Sequence, residues 1–253
     1  MAANRRIVIM AVTAAFVGCL LGVAPATASM TVDHSIFDRL LARHVSNGVV
    51  DYKGFQQDEK QLDAYLALLA RVDPDQLERN ERFAFYINLY NAWTIKLVLS
   101  RYPDLHSIKD LGSWFKSPWQ KKIVKLNGQV VTLDHIEHDI LRPQFKDARV
   151  HFAINCASKS CPPLMARAYT GADLDQQLDR AARAFINDGH NNYLKGRTLY
   201  LSRIFKWFGE DFKPSVLDFV LKYAQGDFAR GLREHRADLN IEYLEYDWSL
   251  NGR

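Results

Sequence analysis

The segment from Glu81 to Arg101 is strongly apolar, with Phe83, Phe85, Ile87, Leu89, Tyr90, Trp93, Ile95, Leu97 and Val98. Wound as an α-helix, these side chains cover nearly every face, and such a helix is usually enclosed by other elements. The rest of the chain is therefore expected to wrap around it, with Pro103 marking its end. Its polar interruptions then carry weight. Asn88 and Asn91 lie three apart, on one face near the middle. A buried amide without partners costs about 1–3 kcal/mol, so each must either bond neighbouring backbone or line a polar site.

The flanking pattern is mixed. Helical spacing runs over residues 33–46, with Asp33 or Ser35 as N-cap, and again over 62–69, 173–187, 215–224 and 228–235. Asn127-Gly128 between two β-prone runs, 121–126 and 129–133, reads as a hairpin. Asp134 to Leu141 reads as a short helix closed by Arg142-Pro143. Val49 to Tyr52, Arg149 to Asn155, Leu199 to Leu201 and Ile241 to Trp248 read as strands, and Ser202 to Phe208 as an aromatic helical turn. The expected fold is α+β: a helix-rich single domain around a small antiparallel or mixed sheet. The Arg149–Asn155 strand is expected at its centre, with the apolar helix packed across it. At 253 residues and 48% hydrophobic content, the chain has enough material for a sizeable core.

The first 28 residues read as an export signal. Arg5 and Arg6 precede an apolar run from Ile7 to Val23, and Ala26-Thr27-Ala28 supplies a small-x-small cleavage site. The run is short for a membrane span and soon meets Pro25. Residues 29–253 are thus expected to form the globular part, periplasmic or secreted, with no stable membrane span after cleavage. Cleavage takes Arg5 and Arg6 and no acidic residue, so the formal net charge falls from +4 to +2. That is too mild to indicate a nucleic-acid partner.

Of three cysteines, Cys19 leaves with the signal and Cys156 and Cys161 remain. They stand in His151-Phe-Ala-Ile-Asn155-Cys156-Ala-Ser-Lys-Ser160-Cys161-Pro-Pro-Leu164, an apolar run entering a polar turn. An even count in an exported chain favours one disulfide, here closing a tight loop. A nucleophilic cysteine is the alternative. It needs a base to lower its pKa from about 8.5. His151, His138 and His135 lie upstream; only His190 and His235 follow, as a papain-like order would require. A redox pair is less well matched, because four residues separate the sulfurs where two are usual. His135 and His138, three apart on one helix with Glu137 and Asp139 beside them, raise zinc, though the spacing fits no strong zinc pattern. Arg142 reads as an ion-pair partner at a helix end or as a clamp for a carboxylate or phosphate. There is no Gly-x-Ser-x-Gly elbow and no phosphate-binding glycine loop, so no cofactor is expected.

Five segments, in order, resemble a known family. They are Asn80 to Ala92, Leu133 to Arg142, the cysteine stretch, Ile204 to Phe208 with Asp211-Phe212, and Tyr246 to Asn251. Together they are similar to domain-of-unknown-function family number 547 over roughly residues 78–251. The resemblance implies no activity, since the family has none established. It does imply a bacterial, often exported, protein.

The expected site is a polar pocket near the Cys156/Cys161 turn. Cys156, Cys161 and His151 are its catalytic candidates, and Asn88, Asn91, Glu137, His138 and Arg142 its ligand-binding candidates. The leading expectation is a binding or structural role with a disulfide, toward an unknown small molecule or peptide. A cysteine-dependent hydrolase or acyl-transferase is the alternative. The export signal carries its own prediction: protein recovered from outside the cytoplasm begins at Ser29, read by intact mass. A product that keeps Arg5 and Arg6 contradicts cleavage.

Overall fold

The computed structural model describes residues 30–113 and 116–252. The signal and Cys19 lie outside the described residues. The chain opens with α1 (Ser35–His44), a short hairpin of β1 (Val45–Ser46) and β2 (Val49–Val50), and two helices, α2 (Tyr52–Gln57) and α3 (Glu59–Leu69). Asp33 and Ser35 do not cap α1 as expected: His34 takes the N-cap position, while Asp33 Oδ1 accepts from the Ser35 amide. The hairpin turn is Asn47-Gly48, both at positive φ, and Pro163 packs so closely on Gly48 that a Cβ there would clash. Next comes α4 (Arg79–Leu99), the apolar segment, with all but a few residues of its length buried. Around it α1, α2 and α3 form a shell with Phe37, Tyr52, Phe55 and Tyr65 fully buried. Lys96 Nζ of α4 pairs with Glu59 and Asp63 of α3 at the edge of this shell.

Strands β3 (Val124–Leu126) and β4 (Gln129–Val131) form the expected Asn-Gly hairpin, with Asn127 and Gly128 both at positive φ. The helix after it does not stop at Leu141. It continues from His135 to Phe145 as a wide π-helix that contains Pro143 and ends at Lys146 in the left-handed region. A proline lacks an N–H, and the wider winding carries the chain past it.

Residues 149–155 are not a strand. Ala148–Phe152 is a 3₁₀-helix, and Ala153 and Ile154 both donate back to the Val150 carbonyl. The apolar run is buried, as the sequence indicated, but its backbone bonds are local. A short apolar run does not by itself distinguish strand from helical turn.

The second half forms a smaller core. Here α5 (Leu174–Ile186) packs on the 3₁₀-helix, and β5 (Asn192–Lys195), β6 (Thr198–Leu201) and, later, β7 (Asn240–Tyr243) make one sheet. β5 and β6 are antiparallel and β6 and β7 parallel, so the sheet is mixed. Between β6 and β7 run α6 (Ile204–Trp207), α7 (Val216–Tyr223) and α8 (Gly226–Glu234). Phe152, Phe185, Phe205 and Phe212 meet in this core. The last strand ends at Tyr243, short of the expected Trp248, because the chain then leaves the sheet. It crosses the cysteine turn, where Gly252 approaches Val50 and Tyr52 too closely for any side chain.

The two amides of α4 tie it to backbone far along the chain. Asn88 donates to the Tyr169 carbonyl at 2.7 Å and accepts from its amide at 2.9 Å. Asn91 donates to the Ala153 carbonyl at 2.9 Å and accepts from the Asn155 amide at 2.8 Å. Asn91→Leu strands two buried backbone groups and is expected to lower the unfolding free energy by about 3 kcal/mol. Urea denaturation checks this; a loss within error of zero contradicts the clamp.

Candidate functional site

The cysteine turn is built by side chains that pin its backbone. Asn155 Nδ2 donates to the Pro162 carbonyl at 2.8 Å, and its Oδ1 accepts from the Ala157 amide at 2.9 Å and Asn251 Nδ2 at 3.0 Å. Ala157, next to Cys156, is fully buried at φ 61, a left-handed conformation uncommon for alanine. Residues 246–252 then strap the turn from outside. Lys159 and Ser160 donate to the Ser249 and Asp247 carbonyls, and Asn251 donates to the Ala157 carbonyl. Tyr52 Oη fixes the far end, donating to Asn251 Oδ1 at 2.7 Å.

Both cysteines are free thiols. The expected disulfide is therefore absent, and each sulfur has other partners. Cys161 Sγ accepts the Cys156 amide at 2.9 Å. Cys156 Sγ lies 3.0 Å from Ser158 Oγ and 3.1 Å from Tyr246 Oη, and those two oxygens are 3.0 Å apart. Burial raises the pKa of Cys156, but hydrogen bonds from Cys161, Ser158 and Tyr246 outweigh it and draw the thiol down to about 7. Burial and the neighbouring sulfur push Cys161 well up. One sulfur is thus poised to ionise and the other to stay protonated.

A cavity of about 220 Å³ is lined by both cysteines, His151, Glu137 and His138. Its walls are aromatic rather than polar: Trp119, Trp207, Phe208, Tyr246 and Trp248. Asn88 and Asn91 do not line it, since their amides are spent on backbone, Asn88 on a distant loop and Asn91 directly beneath the turn. Arg142 stands outside too. Its Nε and Nη2 bind Asp211 and Glu210 at 2.6 and 2.7 Å, and its guanidinium lies 5.1 Å from the Phe208 ring centre. It is an ion-pair partner, with residues other than those near it in sequence.

His151 stacks on Phe208 at 4.1 Å, and its Nε2 lies 2.7 Å from Asp211 Oδ2. The His151 hydrogen bond and then Arg142 hold the Asp211 carboxyl well below the usual range, against burial. Burial pulls His151 down despite that carboxylate. A neutral imidazole beside an ionised carboxylate carries its proton on Nε2, which leaves Nδ1 as the basic nitrogen. Glu137 is buried; burial raises its pKa, and Tyr90 Oη donates to its Oε2 at 3.1 Å. His138 Nδ1 accepts from Arg142 Nη1 at 3.1 Å, while the exposed His135 pairs with Asp139 at 2.8 Å. Among the described residues, no group of three or more His, Cys, Asp or Glu is placed to hold a metal ion. Likewise no helix there is long and apolar enough to cross a membrane.

Asp211, Tyr246, Ser158 and the tryptophans were not among the expected site residues. Two signals pointed to them: the Asp211-Phe212 pair within a motif, and the density of aromatics in 204–208 and 246–248.

Fold and site together define a helix-rich α+β protein with a thiol at an aromatic-walled cavity. Residues 74–186 match the family described as "Protein of unknown function, DUF547". The match takes in α4, the π-helix, the cysteine turn and α5, and ends before Asp211 and the strap. No curated protein and no solved structure matches the chain.

The two sulfurs are expected to differ in reactivity. Alkylation of Cys156 by iodoacetamide rises with pH through a midpoint near 7, as the thiolate forms, while Cys161 stays unmodified at that pH. Peptide mapping after timed labelling checks both; equal labelling of the two contradicts the assignment.

Proposed function

We propose that this protein is a cysteine-dependent acyl-transfer enzyme, a hydrolase or transferase, with Cys156 as nucleophile. The supporting observation is one sulfur with its pKa drawn down to about 7, on a rigid turn, at the wall of a cavity it shares with a carboxylate-held histidine. Nucleophile, base and orienting group form a recurrent set whatever their order in the chain. With substrate in the shared cavity, the Cys156 proton passes to His151 Nδ1, by way of the Ser158 and Tyr246 hydroxyls that touch the sulfur or of water, and Asp211 stabilises the imidazolium. The thiolate adds to an acyl carbon. The tetrahedral adduct collapses, the bond to the leaving oxygen or nitrogen breaks, and His151 returns its proton to that atom. Water or an amine then attacks the thioester and restores the thiol. Ser158 Oγ and Tyr246 Oη, 3.0 and 3.1 Å from the sulfur, are hydroxyl donors for the developing oxyanion. The turn's own amides are largely spent on the strap and on Asn155.

The sequence also supports action outside the cytoplasm, in a compartment that favours disulfides. A second reading follows from the bond of Cys161 Sγ to the Cys156 amide, which keeps the two cysteines together. In that reading oxidation joins the sulfurs and the cavity only binds its ligand. Thiol titration of unreduced protein separates the two, since a joined pair gives no signal.

The test of the enzyme reading is trapping. A panel of activated esters and amides is expected to leave an acyl adduct on Cys156, located by mass spectrometry. Cys156→Ala removes turnover with circular dichroism unchanged, and Asp211→Asn slows it by about 10²-fold or more through loss of the His151 tautomer. Turnover that survives Cys156→Ala rejects the reading.

A further inference from the structure

The cavity has a second chemical character that the thiol does not explain. Trp207, Tyr246 and Trp248 pack into one wall with ring centres 4.5–5.6 Å apart, and Trp207 remains 43% exposed. Trp119 extends the wall from the other side, 5.9 Å from Trp248. Against these rings stand two carboxyl groups, Asp134 and Glu137, brought in by the π-helix and the residue preceding it. Among the described residues lining the cavity there is no lysine or arginine. Arg142, over the Phe208 ring, is neutralised by Asp211 and Glu210. Aromatic faces are electron-rich, and beside a carboxylate they attract cations and repel anions. One of these rings already holds a cation of the chain itself: Lys109 Nζ lies 4.0 Å from the Trp248 ring centre.

We infer that the cavity selects a substrate that carries an ammonium group, seated between the Trp207–Tyr246–Trp248 wall and Asp134, with its acyl carbon presented to Cys156. The inference rests on the nucleophile reading for the role of the sulfur, but the cation site stands on its own geometry. It names a substrate class: acyl compounds bearing an amine or quaternary nitrogen, with carboxylate- or phosphate-bearing ones excluded.

Two measurements test it. The first compares modification of Cys156 by three methanethiosulfonates: the cationic trimethylammonioethyl, the neutral methyl and the anionic sulfonatoethyl reagent. Each rate is divided by that of a free thiol in solution. The cationic reagent is expected to be favoured over the neutral one by about ten-fold, the scale of a cation–π contact of ~1.4 kcal/mol, and the anionic one disfavoured. Asp134→Asn and Trp207→Ala bring the ratio back toward that of the free thiol. A corrected ratio near one, or preference for the anion, overturns the inference. Inertness to the neutral reagent counts against the nucleophile instead. The second measurement removes the thiol. In Cys156→Ser, choline and its uncharged isostere 3,3-dimethylbutan-1-ol are titrated by tryptophan fluorescence. Tighter binding of choline by about ten-fold supports the cation site whatever the sulfur does. Equal affinities mean a merely apolar cavity and overturn it.

Discussion

One carboxamide, that of Asn91, decides where the cysteine turn sits. It lies at the centre of a helix that is otherwise apolar, and it bonds the chain on both sides of residue 154, taking the Ala153 carbonyl and the Asn155 amide. In a low-dielectric interior such a pair of bonds is directional and costly to break. Asn155, so placed, bonds Pro162, Ala157 and Asn251, and through Asn251 the site reaches Tyr52 on the first shell of helices. The turn is irregular, yet it has few ways to move.

From that fixed turn the chemistry follows by proximity. The Ser158 and Tyr246 hydroxyls reach Cys156 because the strap is bonded to the same turn they support. His151 is held from the other side by Asp211, which Arg142 holds in its turn. The larger core supplies Tyr90 and Ile154 to the cavity. The smaller core and the strap supply Ile204, Phe208, Tyr246 and Trp248. The cavity therefore belongs to neither core alone.

Much of this architecture was legible in the residues. The buried central helix, the Asn-Gly hairpin, the amphipathic α5 and the terminal helices followed from periodicity and turn chemistry, which are local. The amide pair was legible as a question, and its answer was backbone clamping. What failed was the strand at 149–155. Val150, Phe152 and Ile154 alternate as a strand would, but Asn91 satisfies the backbone that a neighbouring strand would otherwise have paired. Cys156, Cys161, His151, Glu137 and His138, grouped from the sequence, line one cavity. Asp211 and Tyr246 were not, because they lie 60 and 90 residues from their partners and no spacing rule reaches that far.

The strap has a bearing on how the protein comes into being. The sulfur at 156 is synthesised long before the tyrosine at 246 that tempers it and the asparagine at 251 that fastens its loop. Until that later stretch emerges and docks, the thiol has Ser158 but lacks the Tyr246 hydroxyl and the Tyr246–Trp248 part of its aromatic wall. On the nucleophile reading proposed above, a thiol whose acidity depends in part on so late a segment stays less reactive during biosynthesis and reaches its full acidity only after folding has closed around it.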